Sequence, residues 1–320
     1  MKRRFLRSPL PALLFILLVA ARLGAEPPPI TDPVATPLER ADLAGRLLDE
    51  AERDNGTAVR SRLAMKAVSL LRPLVQNNPD DAGLQYLLGR AWALSAEERD
   101  LACVRDVRPI EAAIHAYARA RQLTPGGTRA QEIATALGDL HGKLGHFERA
   151  SAEYDHAIAL RRAYVRATHD SRDGELARLY DNSAEIFMAQ GRLAEAIARY
   201  QLAVAYQDGR TGTSPRLALP YFGLGVALDR AGQREKAHRA LTRALELDPH
   251  LEQFQDSSVY FIPCGEHWYY EALAYLERGQ PEQASAAFRR FLEEQPGSRW
   301  ADRARGHLDE LARGAGDGIK

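Results

Sequence analysis

The sequence predicts an all-α protein, a solenoid of about six helical hairpins with a C-terminal capping helix, and three observations carry that prediction. A small residue at Gly89, Gly138, Ala184, Gly225 and Ala272 is followed three positions later by a large one, at Trp92, His141, Phe187, Leu228 and Tyr275. Alanines at Ala113, Ala150, Ala196, Ala237 and Ala284 are followed four positions later by Tyr117, Tyr154, Tyr200, Leu241 and Phe288. Three positions on come Ala120, Ala157, Ala203, Ala244 and Phe291. Spacings of three and four put each set on one stripe of a helix. Between the two stripes stand Gly145, Gly191, Gly232 and Gly279, where a tight turn calls for positive φ, and Pro125, Pro249 and Pro296 close three of the units.

The elements follow in order. Thr36-Pro37-Leu38-Glu39 supplies an N-cap, a first-turn proline and a third-position glutamate for a helix reaching about Asp54, which Asn55-Gly56 ends. A second helix from about Ala58 to Gln76 carries Ala67, Leu71 and Leu74, with Pro73 placed to kink it, and completes a degenerate hairpin over 36–78. Repeats follow near 82–125, 131–164, 177–210, 218–251 and 265–298. Ser298 opens the capping helix, 298–313, with Trp300, Ala304 and Leu308 facing inward, and 314–320 is a loose tail.

This pattern resembles the tetratricopeptide repeat, with its W-x2-L-G-x2-Y, A-x3-F and closing proline. The resemblance implies a right-handed superhelix whose first helices line a concave, partner-binding groove. Here the small residue recurs at intervals of 49, 46, 41 and 47, so every unit carries extra chain. The inserts fall near Leu94 to Arg105, Tyr164 to Gly174, Thr211 to Leu217 and Glu252 to Cys264, and either prolong second helices or form loops along one edge. Phe288-x2-Phe291-Leu292-x3-Pro296-x-Ser298-x2-Ala301-x2-Ala304 is also similar to a repeat ending of periplasmic division-coordinating and outer-membrane-assembly proteins.

Carried onto this chain, the resemblance places Thr135, Asp139, Lys143, Arg178, Asp181, Asn182 and Glu185 in a polar stretch of groove. Phe222, Val226, Glu266, Tyr269, Leu273 and Leu276 fall in an apolar one. An exposed apolar cluster marks a binding site for a partner helix or extended peptide, and packing of the same residues between hairpins is the alternative. The carboxylate clamp of some tetratricopeptide domains is not expected. Arg178 and Asn182 fall in comparable places, but Asp139 and Glu185 stand where asparagine is wanted and would repel an acidic tail.

The N-terminal residues 1–25 read as a secretory signal. Lys2, Arg3, Arg4 and Arg7 precede an apolar stretch from Leu10 to Leu23, then Gly24-Ala25 and a proline-rich leader, 26–35. The stretch is shorter than the roughly 20 residues a membrane span needs, so cleavage after Ala25 is expected, with an uncleaved inner-membrane anchor as the alternative. The chain carries 43 basic and 43 acidic residues, five of the basic ones before residue 26, so the remainder is mildly acidic and ill suited to nucleic acid. With only five lysines among many arginines and alanines, the composition suggests a GC-rich bacterial genome and hence the periplasm or cell envelope.

Chemistry has little support in the sequence. No phosphate loop, dinucleotide fingerprint, nucleophile elbow or H-E-x-x-H pattern is present, and no cofactor or metal is expected. Cys264, Glu266 and His267 lie within four residues, yet the segment reads as the lead-in and first turn of a repeat helix. His141 is at a core position, and His115, His146 and His156 suit helix surface. Cys103 and Cys264 lie too many hairpins apart to pair with each other. The expected function is a non-catalytic scaffold or adaptor that binds another protein or a peptide. Self-association in an envelope assembly, or an enzyme using Cys264 and His267, are the rivals.

Overall fold

The computed structural model describes residues 36–54, 57–96, 106–168, 174–207, 215–254 and 264–317. The expected leader, Cys103, the Cys264 side chain and much of the four inserts lie outside the described residues. The described chain is α-helical with short 3-10 turns and no strand, as the fold class requires. Six hairpins stack in chain order. They pair α1 (Pro37–Arg53) with α2 (Thr57–Asn77), α3 (Ala82–Ala96) with α4 (Val107–Leu123), α5 (Ala130–Lys143) with α6 (Phe147–Thr168), and α7 (Gly174–Gln190) with α8 (Leu193–Gln207). Then come α9 (Leu219–Arg230) with α10 (Arg234–Leu247), α11 (His267–Glu277) with α12 (Pro281–Glu294), and the capping helix α13 (Ala301–Asp317).

Local sequence accounts for the boundaries. At the start of α1 the Glu39 amide donates to Thr36 Oγ1 at 3.2 Å while the Thr36 amide donates to Glu39 Oε2 at 2.7 Å, a complete capping box. Asp106 caps α4 by accepting from the Arg108 amide at 3.1 Å. Four hairpin turns repeat one motif. His146 N–H donates to the His141 carbonyl at 2.9 Å and Gly145 N–H to that of Gly142 at 2.9 Å, and the same pair of bonds recurs at Gly191, Gly232 and Gly279. The glycines hold φ between +66° and +78°, where a Cβ would be strained, so this Schellman turn fixes both the stop of each first helix and the return angle of the second.

The recurring small residue is where the two helices of a hairpin touch. A Cβ on Gly225 would stand 2.6 Å from Leu241 Cγ, so the glycine lets α10 lie close against α9. The partner residues of the second helices, Tyr117, Tyr154, Tyr200, Leu241 and Phe288, are at most 4 % exposed. They form successive layers of the core, each layer shared between neighbouring hairpins as a solenoid requires.

Successive first helices also pack on one another, α1 with α3, α3 with α5, α5 with α7, α7 with α9 and α9 with α11, whereas second helices pack chiefly on the first helices beside them. The array therefore curves with its first helices on the inside. Curvature is enough for Arg299, in the linker before α13, to reach the turn between α7 and α8 and donate to the Gln190 carbonyl at 2.5 Å. The inserts take both expected forms: α6 runs on to Thr168, prolonging a second helix, while the chain after α10 makes the 3-10 turn Glu252–Phe254.

Candidate functional site

The inner stripe is formed by the residue three before each small position and the residue one after it: Tyr86 and Arg90, Thr135 and Asp139, Asp181 and Glu185, Phe222 and Val226, Tyr269 and Leu273. Its two halves differ. On α3, α5 and α7 the stripe is polar and reaches solvent, with Arg178 exposed and Tyr86, Asp139, Lys143 and Asp181 partly so. Thr135, Asn182 and Glu185, from the same polar set, are buried.

The expected exposed apolar cluster is corrected by the structure. Phe222, Val226 and Tyr269 are fully buried and Leu273 is 4 % exposed, all within the largest core cluster, so no partner can touch them without the fold opening. Two features close this half. Phe254, from the turn after α10, lays its ring 4.8 Å from that of Phe222. From the other side α13 docks through Asp229, which accepts from Tyr269 Oη at 2.7 Å, from Arg303 Nη2 at 2.5 Å, and lies 3.1 Å from His307 Nε2. The His307 ring stacks on Phe288 at 4.9 Å, and Tyr269 meets Phe288 and Phe291 edge to face. Arg230, with no side-chain exposure, pairs with Glu266 and lies between the rings of Tyr269 and Trp300. A row of groove positions has become a second core with an ionic lining.

Electrostatics separates the halves further. Burial alone would raise the Asp229 carboxyl, but hydrogen bonds from His307, Arg303 and Tyr269 outweigh it and hold the group well below the usual carboxylate range. Along the polar half the balance runs the other way. Burial raises Asp139 despite Arg178 and the hydroxyl of Tyr154. Burial pushes Glu185 up to about 7, although Tyr200 and Tyr270 both donate to it. Asp181 is raised well above its ordinary value by burial and by the neighbouring Glu185 charge, against the pull of Arg178. Asp181 is partly open to solvent on the inner face of α7. Among the described residues it accepts no hydrogen bond.

Around it the other polar groups are engaged. Arg178 pairs with Glu175, which also accepts from Gln131 Nε2 at 2.9 Å. Asp139 accepts from Tyr154 and from Asn182 Nδ2 at 3.3 Å. Tyr86 donates to Glu132 at 2.8 Å beneath the Arg129 guanidinium, and Arg90 bridges to Asp49 and Glu52 of α1. Tyr86, Arg90 and Glu132 were not anticipated as groove residues, although they share the register of Thr135, Asp139 and Arg178, which could have identified them.

His141 is buried, its pKa lowered by that burial, and the His267 ring lies tilted against that of Trp268, 4.4 Å between centroids. Among the described residues no group of three or more His, Cys, Asp or Glu side chains is arranged to hold a metal ion. No helix among them is long and apolar enough to cross a membrane.

Comparison with known proteins places the repeats. Tetratricopeptide-repeat family models match residues 132–164, 175–250 and 222–299. No curated protein matches the sequence. Among solved structures, the chain is similar to the RpL4 assembly chaperone Acl4 at 20 % identity, covering 88 % of this chain and 100 % of that one, with a TM-score of 0.49. It is similar to pilF of Pseudomonas aeruginosa at 12 % identity, covering 83 % and 98 %, with a TM-score of 0.47. It is also similar to MamA at 17 % identity, covering 70 % and 99 %, with a TM-score of 0.43. With the repeated small-to-large helix contact and the repeated glycine turn, the family matches show tetratricopeptide repeats over residues 132–164 and 175–299 of this chain.

Proposed function

We propose that this protein is a non-catalytic interaction scaffold of the bacterial cell envelope, which receives a segment of a partner protein on the polar inner face of α3, α5 and α7. Scaffolding by protein–protein contact is what the repeat family supports in general, and the polar half of the stripe is the part of the concave side that a partner can reach. The observation that carries the choice is Asp181: it sits mid-groove, partly open, without a hydrogen bond among the described residues, in surroundings that disfavour its charge. A lysine or arginine brought there by a partner adds the counter-charge that Arg178, paired with Glu175, supplies only in part, and Lys143, near Asp139, marks the place of an acidic group on the same segment. Envelope placement rests on the basic-then-apolar pattern of residues 1–25.

The test is affinity capture from the native cells with the parent chain and with Asp181→Arg, both checked for the same cooperative melt. A partner retained by the parent and lost from the folded variant supports the reading, and equal recovery from both overturns it. Mass measurement of the N-terminus on the same material reports export: a chain beginning at Glu26 is the expected product.

A further inference from the structure

The chain carries its own occupant of the closed half of the groove. After α10 ends at Leu247, Pro249 breaks the helix and the backbone turns back through Leu251 into the 3-10 turn Glu252–Phe254. Asp248, fully buried, clamps this turn by accepting the amides of Glu252 at 2.9 Å and Gln253 at 3.0 Å. The turn delivers Phe254 to the inner face, where its ring lies 4.8 Å from Phe222 and 6.4 Å, edge on, from Tyr270.

The seat is made at a local cost. Leu251 holds φ +57°, a conformation that non-glycine residues avoid, while its side chain is 4 % exposed. Gln253 is 5 % exposed and its buried Oε1 finds no hydrogen-bond partner among the described residues. Phe254 itself stays partly open to solvent. A left-handed leucine and an orphaned acceptor both favour release of the turn, while the aromatic contacts, the Asp248 clamp, the buried Leu251 side chain and packing on the 3-10 turn Pro215–Ala218 hold it.

We propose that Phe254 occupies a binding subsite, and that an aromatic side chain of a bound protein segment takes its place between Phe222 and Tyr270 when the turn swings out. The occupant is defined by the ring already there, since a cleft built around one phenylalanine fits another at the same centroid distances. This rests on the reading of the chain as a scaffold for protein segments. It adds a second anchor beside the polar stripe, which Tyr270 joins by donating to Glu185. While Phe254 is seated the subsite is masked, and apparent affinity falls by the fraction of molecules in which the turn is out.

The experiment uses the full chain and two small probes, anilinonaphthalene sulfonate and N-acetyl-L-phenylalanine amide, so its outcome is independent of any partner at Asp181. Phe254→Ala is expected to melt cooperatively, to bind the fluorescent probe several-fold more than the parent, and to release it to the phenylalanine amide, which raises the melting temperature of the variant more than that of the parent. A Phe254→Ala chain that loses its cooperative melt shows the turn to be part of the structural core and overturns the proposal. So does a folded variant with unchanged probe binding, or one whose probe the amide does not displace. Phe254→Leu separates shape from apolarity: it is expected to stay folded and masked, and unmasking of the probe site in it counts against the proposal.

Discussion

The inner faces of α5 and α7 and of α9 and α11 occupy the same repeat register and have opposite fates. Asp139, Asp181 and Arg178 line an open wall, while Phe222, Val226, Tyr269 and Leu273 are core. Repeat register determines which way a side chain points. What comes to lie over it is decided by chain far away in sequence. Phe254 reaches Phe222 from the linker after α10, and Arg303 and His307 reach Asp229 from the capping helix. A tetratricopeptide groove can thus be filled from within, at one end, by its own insert and cap.

The comparison makes the largest mutational effect fall in the closed half. Asp229→Ala leaves Arg303, His307 and Tyr269 without their common acceptor, and its expected cost is about 3 to 5 kcal/mol, read by urea denaturation. Asp181→Asn, in the open half, is expected to leave stability unchanged or slightly raised, because it removes a charge that the fold disfavours. Equal losses at the two sites would erase the distinction between the halves.

Acidity sharpens the contrast next. Glu185 and Glu271 are both pushed up to about 7 by burial, so the folded protein holds their protons more tightly than the unfolded chain does. Stability from these groups is complete below pH 4 and declines as pH rises through 7. For Glu185 alone the loss is about 3 kcal/mol by linkage. Asp229 is depressed and works in the opposite sense, with stability present above the ordinary carboxylate range and lost as pH falls below it. The melting temperature should therefore peak under mildly acidic conditions and fall toward pH 8, and Glu185→Gln should flatten the alkaline fall. A melting curve in which the variant falls as steeply as the parent would contradict the role given to Glu185.

The smallest effect belongs to the turns, which the two halves share. Gly232 has φ +73° with nothing near its missing Cβ, so Gly232→Ala is expected to cost only about 1 kcal/mol, from the left-handed backbone. Gly223→Ala should cost more, because its Cβ would stand 2.2 Å from the Tyr200 ring. A pair of thermal melts ranks them.

Much of this fold is written locally and could be read so. The capping box at Thr36, the turn glycines and the alanine-to-aromatic spacing each act within one helix or one turn, and each stands where the spacing put it. Exposure in the groove was not legible in the same way. Tyr269 has the same register as Asp181, and nothing near it in sequence announces Asp229, His307 or the return of Phe254. Gly223 has no place in the repeat pattern, which Gly225, two residues on, already satisfies. The ion pair of Arg230 with Glu266 joins residues 36 apart, across a linker whose length the repeat pattern does not specify.

The most direct test of the account is photo-crosslinking in the native cells, with the photoreactive residue placed in turn at Lys143, at Arg178 and, on the second-helix side, at Glu246. The account predicts one partner crosslinked from Lys143 and Arg178 and absent from Glu246. The same adduct from Glu246, with none from the two inner positions, would place binding on the outer face and contradict it.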